Sequence, residues 1–293
     1  MRTRVTIGPQ DGFIYSFSRD MVPVCEIDLD QVVEVKTLSA LHGLIPHESG
    51  KTQELDLTNT NPATGPIFVK GIRPGDMVGI DVLAIDVEST GVGMSLGDYR
   101  VIPIVDGFAQ FSPEIRIRIR PHIGVIGVAP ATGSFTCGFP GEHGGNLDTK
   151  EVRPGSTIVL PANVEGGLLA LGDVHAVMAD GEVNGAGLEV GARVVLRVRR
   201  VEDSPTDRLH IWTQDKLILI ASADSFEIAS RMAIERAMDV MSRLHGLSRS
   251  DAKLLLGYCG ELRVSQIVNP LITVKLVLPR ELGIKIEGMG VSV

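Results

Sequence analysis

At 293 residues, with 44% hydrophobic and 22% charged positions, the chain has a globular composition and enough length for one large domain or two ordinary ones. A formal net charge of −8 without a Lys/Arg cluster argues against a nucleic-acid surface, and no run approaches the ~20 consecutive apolar residues of a membrane span. Residues 1–12 carry no apolar leader core, and three distant cysteines (Cys25, Cys137, Cys259) do not make a disulfide framework, so a cytoplasmic protein is expected.

Taken in chain order, short Val/Ile/Leu runs are broken repeatedly by 33 glycines and 16 prolines, which predicts many short strands. Strands are expected at 5–8, 13–18, 23–29, 77–87, 99–105, 114–120, 123–129, 156–161, 193–201, 209–213 and 216–221. In residues 115–121 Arg116, Arg118 and Arg120 alternate with Ile115, Ile117 and Ile119, the pattern of an edge or surface strand rather than an anion site. Arg73-Pro74-Gly75-Asp76 and Arg153-Pro154-Gly155-Ser156 suit type II turns, and their echo is compatible with two similar layers of a sandwich.

Beyond residue 221 the periodicity turns helical through Ile228, Met232, Ala233, Val240, Met241 and Leu244, with Asp224 or Ser225 to cap the start and Gly246 to close the end. The methionines read as core filler. Ser248 and Asp251 cap a second helix over 252–259, and strands at 261–268 and 272–279 follow. The expected fold is mainly β (α+β). A β-sandwich-like region over 1–220 carries the site, and a helical hairpin plus closing strands over 221–293 pack as part of the same unit. Absent βαβ alternation disfavours a Rossmann fold or α/β barrel. The glycine-rich segments 138–145 and 181–187 lack the G-K-[ST] of a phosphate loop.

Three places concentrate polar groups: residues 140–150 with His143, Asn146 and Asp148; residues 171–183 with Asp173, His175, Asp180 and Glu182; and residues 41–50 with His42 and His47. In extended chain, residues two apart share a side, which pairs Asn146 with Asp148, Asp173 with His175 and Asp180 with Glu182. An imidazole among carboxylates is a shell for a divalent cation, with zinc preferred and calcium as the alternative. Asp148 and Asp180 also fit turn acids, and His175 fits a core histidine bonded to Asp173. His42 and His47 fit a surface loop, while His122, His210 and His245 are given no role. Cys137, six residues before His143, raises the alternative of a cysteine nucleophile. A third reading is a non-catalytic β-rich protein that binds a metal or small ligand.

Residues 61–83 (Asn-Pro, Thr-Gly-Pro, then Pro-Gly-Asp and a strand), 124–130 with 141–150, 157–189 and 257–270 together resemble the acetamidase/formamidase family in this order. The resemblance implies cleavage of the C–N bond of a small linear amide to ammonia and a carboxylate. It also implies a β-sandwich-like fold with a helical part, a divalent metal, and a homodimer or higher homo-oligomer. It maps family positions onto His143, Asn146, Asp148, Asp173, His175 and Glu182. Val174, Ala179 and Glu165 depart from the family pattern but leave these ionisable residues intact. Asp148, Asp173 and His175 are then the expected metal ligands and Glu182 the base that moves the water proton. His143 is a further catalytic candidate, and Asn146 or the amides of Gly144 and Gly145 would stabilise the oxyanion.

Overall fold

The computed structural model describes residues 5–44, 50–51 and 59–284. Two large, mostly antiparallel sheets face each other. The first has nine strands, in the order Val5–Ile7, Val32–Thr37, Ala192–Val201, Met77–Val87, Ser156–Pro161, His210–Trp212, Lys216–Ala223, Ile272–Pro279 and Glu261–Gln266. The second contains Ala63–Val69, Thr90–Ser95, Asp98–Val105, His122–Gly127, Gly144–Asn146, Leu169–His175 and Glu189–Val190 among its strands.

Apolar alternation accounts for the layering. Along Lys216–Ala223, Ile218 and Ile220 enter the core between the sheets, where Ile80, Ile158 and Val194 meet Ile67, Ile126 and Leu171. Leu217, Leu219 and Ala221 point the opposite way, into a second core beneath the helices with Trp212, Ala233 and Met241. A strand buried on both faces reads as a continuous apolar run, which is why "KLILIA" shows no alternation.

Helix α1 (Phe226–His245) lies on that second core through Ala229, Ala233 and Ala237, whose four-residue spacing makes one narrow stripe of small side chains. The Ser225 hydroxyl accepts from the Ile228 N–H, and Gly246 closes the helix at φ 65°. Met238 and Met241 are core filler as expected, whereas Ile228 and Leu244 lie on the exposed side of the helix. Helix α2 (Arg249–Cys259) starts at Ser248, whose hydroxyl caps the Asp251 N–H and also donates to the Asp251 carboxylate at 2.7 Å.

The two Pro-Gly turns have Gly75 and Gly155 at φ 94° and 87° with matching backbone bonds of 3.0 Å (Asp76 N–H to Arg73 O, Ser156 N–H to Arg153 O). Their strands do not lie in two layers: Ser156–Pro161 pairs antiparallel with Met77–Val87 in one sheet. Arg116–Arg118 is an exposed strand at the edge of the second sheet, with Arg116 and Arg118 over the Phe108 ring. No helix among the described residues is long and apolar enough to cross a membrane.

Candidate active site

Strand Leu169–His175 runs through the middle of the second sheet and brings Asp173 and His175 into its interior. At Asp173 the backbone takes φ 52°, and pairing with His122–Gly127 skips a step: Val174 faces Ile123 and Gly172 faces Val125. The skipped residue opposite is Gly124. A Cβ there would stand 2.6 Å from both Asp148 Oδ1 and Asp173 Oδ2, so the two carboxylates occupy the space that glycine leaves.

Asp148 follows strand Gly144–Asn146 at φ 43°, and Glu182 follows Gly181 in a turn at φ 48°. Three carboxylate-bearing residues therefore hold left-handed backbone, which is costly for such side chains and concentrates at functional sites. Glu189, on the short strand Glu189–Val190, is the cross-strand partner of His175.

These groups converge on one atom. His175 Nε2 lies 3.2 Å from Glu189 Oε1, 3.4 Å from Asp173 Oδ1, 3.8 Å from Asp148 Oδ1 and 4.0 Å from Glu182 Oε1. All five side chains are buried. Their ligand atoms form two overlapping sets, Asp148/Asp173/His175 and His175/Glu182/Glu189, each compact enough for a metal ion. They line a cavity of about 230 Å³ together with Asn61, Asn146 and Asn269.

The opposite side of the imidazole is fixed by a relay. His122 Nδ1 lies 3.2 Å from the Arg120 carbonyl oxygen, and His122 Nε2 lies 3.2 Å from His175 Nδ1. The consistent arrangement has each Nδ1–H donating, which turns His175 Nε2 toward the carboxylates, where it carries a proton in the metal-free protein and offers a lone pair once that proton is lost. Burial, then the neighbouring His175 charge, pulls His122 down to about 3, so it is neutral and can accept.

Four carboxylates cannot all stay charged so close together without a counter-ion. Burial and the Asp148 charge push Glu182 up to about 10. Burial, joined by the charge of Asp173, raises Glu189 to about 8 against the opposing pull of His175. Burial and Asp173 raise Asp148 to about 6. Burial opposes charge on His175, but Glu189 and Asp173 outweigh it and hold the imidazole well above its ordinary value. Burial likewise opposes charge on Asp173, and His175 outweighs it, leaving Asp173 lowered.

Asp148 Oδ1, Glu182 Oε2, Glu189 Oε2 and Asn146 Oδ1 are buried acceptors without a hydrogen-bond donor. Orphaned oxygens on so many of the converging side chains are donors that a divalent cation could use.

Of the residues expected from sequence, Asn146, Asp148, Asp173, His175 and Glu182 are brought together. His143 is not among the cavity's lining residues. Its ring stacks on Phe135 with centroids 5.1 Å apart and meets Phe17 edge-on, a consequence of the aromatic side chains that flank it. Gly144 and Gly145 also stand outside the lining, and the Gly144 N–H is donated to the Gly141 carbonyl. Asp180 separates from Glu182 because the turn breaks the strand period; it pairs with Lys275 at 2.6 Å and Lys150 at 2.9 Å. Cys137 is buried outside the cavity, its thiol pushed up to about 12 by burial. His42 is exposed, and His47 lies outside the described residues.

Sequence reading missed Glu189, Asn269 and His122. Glu189 is a lone acid whose partner appears only through strand pairing. Asn269, more than a hundred residues away, donates to Asp148 Oδ2 at 2.6 Å and to the Asn146 carbonyl at 3.0 Å. His122 has no acidic neighbour in sequence to draw attention to it.

The acetamidase/formamidase family model matches residues 131–211, the segment that supplies Asn146, Asp148, Asp173, His175, Glu182 and Glu189. A formamidase of Methylophilus methylotrophus is 22% identical, with 66% of this chain and 65% of that protein covered. The chain spans a little under two-thirds of the length of the curated formamidases it matches. Solved structures are alike over nearly the whole chain. An acetamidase from Bacillus halodurans is 34% identical with a TM-score of 0.91, covering 96% of this chain and 100% of that one. An acetamidase/formamidase from Thermoanaerobacter tengcongensis gives the same identity and score over 97% and 99%. With that likeness running through both sheets, the helical hairpin and the strands that carry the buried acids, the chain belongs to the acetamidase/formamidase family.

Proposed function

We propose that the protein is an amidase that cleaves the C–N bond of a linear amide with water, giving ammonia and a carboxylate. The observation that carries this is the convergence of Asp148, Asp173, Glu182 and Glu189 on His175 Nε2, with unpartnered oxygens on three of the four acids. Asp148, Asp173 and His175, with Glu189 beside them, would hold a divalent cation, for which zinc is the best chemical match. When bound, such an ion would polarise the amide oxygen and acidify a water.

Glu182 sits in the turn at the cavity wall and is the candidate acid/base. It takes the water proton as the C–O bond forms and delivers it to the nitrogen as the C–N bond breaks. Asn146 donates one N–H to Asn269 Oδ1 at 3.2 Å, which leaves its second for the developing oxyanion. Homo-oligomeric assembly belongs to the same proposal. Metal-stripped protein should release ammonia from a panel of carboxamides only after a divalent cation is restored. Glu182→Gln should lower kcat by roughly 100-fold or more, the scale of a lost general base. Full activity without metal, or an unimpaired Glu182→Gln, would refute this chemistry, and absent ammonia release with metal bound would leave a binding protein.

A further inference from the structure

Beside the ligand cavity lies a larger one of about 470 Å³. Met94, Glu182 and Ala186 line both. The remaining walls of the larger cavity are dominated by apolar side chains, among them Ile102, Ala109, Phe111, Ile117, Val177 and Leu188. Apart from Glu182 on the shared wall, its charged residues are already engaged: Arg100 donates to the Phe111 carbonyl at 2.8 Å and lies over that ring, and Asp98 pairs with Lys51. Where the cavities meet, Asn184 donates to the Met94 and Ala186 carbonyls at 2.9 and 2.8 Å, fixing the turn that bears Glu182.

Size separates the possible substrates. At ~30 Å³ of liquid volume per water-sized group, acetamide with its four heavy atoms needs on the order of 100 Å³. The ligand cavity of about 230 Å³ already holds that. The larger cavity has room beyond it for a group of on the order of ten heavy atoms.

We propose, resting on the amidase reading, that this cavity receives the acyl substituent of the substrate. The substrates are then primary amides of apolar, uncharged acids, medium-chain aliphatic or aromatic carboxamides, in preference to formamide or acetamide. With Glu182 on the shared wall, the C–N bond lies on the ligand side and the acyl chain runs between Met94 and Leu188.

Gly93 provides the variant. A Cβ at Gly93 meets only Ile102 Cδ1, at 3.6 Å, so Gly93→Leu enters the larger cavity with no ligand residue near the new Cβ. Ammonia release from formamide, acetamide, hexanamide and benzamide is measured on metal-loaded protein, with calorimetric titration of the products acetate and hexanoate. Hexanamide should exceed acetamide at least about tenfold in kcat/KM, and hexanoate should bind correspondingly tighter. Gly93→Leu should abolish both preferences while acetamide turnover and the melting midpoint stay unchanged, with Gly93→Val as the milder version if leucine impairs folding. Acetamide turned over as well as hexanamide and benzamide, or a preference that survives Gly93→Leu, would overturn the proposal. If no amide is cleaved, the amidase reading fails, and the titrations still decide the cavity: tighter hexanoate lost in Gly93→Leu upholds it, and equal binding of the two acids overturns it.

Discussion

Asp173 shows what a single residue does here. Its φ of 52° and the missing side chain at Gly124 are complementary, since one turns the carboxylate inward and the other leaves space for it. Gly124→Ala should therefore displace Asp148 and Asp173 together. We expect kcat/KM to fall by roughly 100-fold, as for about 1 Å of misplacement, with about 1–3 kcal/mol of lost stability. Gly93→Ala, where the new Cβ has room, is the control, compared by steady-state kinetics with acetamide, which leaves the larger cavity empty, and by urea unfolding. At this scale the sequence was readable where acids and histidine are neighbours in the chain. Asp173 and His175 are two apart, and strand period alone puts them on one side. The same period misleads at Asp180 and Glu182, because a positive φ at both Gly181 and Glu182 sends the two acids in different directions.

At the scale of elements, the site depends on strands far apart in sequence. The closing hairpin Glu261–Gln266 and Ile272–Pro279 sends Asn269 to Asp148, and its buried Lys275 bridges Glu151 at 2.7 Å and Asp180 at 2.6 Å. The Gly181 N–H adds a backbone bond of 2.8 Å to the Ser265 carbonyl, so the turn carrying Glu182 is anchored on both sides. Removing one member of a buried ion pair costs about 3–5 kcal/mol, because its partner is left charged and unpaired; here that partner is Glu151, while Asp180 keeps Lys150. Lys275→Met should show that loss in urea unfolding. The double variant Lys275→Met/Glu151→Gln should regain most of it, and a double variant no more stable than Lys275→Met alone would refute the pairing. This bridge was not readable beforehand, since a lysine in "ITVKLVLP" looks like the polar face of a strand. The strand Ala63–Val69 was also hidden, because Gly65 and Pro66 inside it mimic turn residues.

For the whole molecule, the layered architecture follows from long apolar strands and the helical texture after residue 221, both plain in the sequence. Which strands share a sheet was not, because register is decided by contacts between distant segments. The buried acids then couple fold to pH. Glu182 and Glu189 rise from an ordinary 4.5 to about 10 and about 8, so the folded metal-free protein holds protons there that the unfolded chain has lost. His175, raised above 6.5, acts in the same direction at higher pH. Below 6.5 the buried His122, His143 and His210, lowered to about 3, 4 and 4, act in the opposite direction, so stability of the metal-free protein should fall as pH rises from about 7 through about 10. Bound cation should flatten that slope by neutralising the ionised acids; the check is the melting midpoint against pH with and without metal.

Calorimetric titration of zinc into metal-stripped protein at pH 7, run in two buffers of different ionisation enthalpy, tests the central claim most directly. Saturable binding with net proton release is expected, because Glu182, Glu189 and His175 hold protons in the metal-free site and must release them to solvent when the ion binds. Asp173→Asn should weaken that binding by at least about tenfold, consistent with the loss of a charged ligand. No binding, binding without proton release, or an affinity unmoved by Asp173→Asn would contradict the claim.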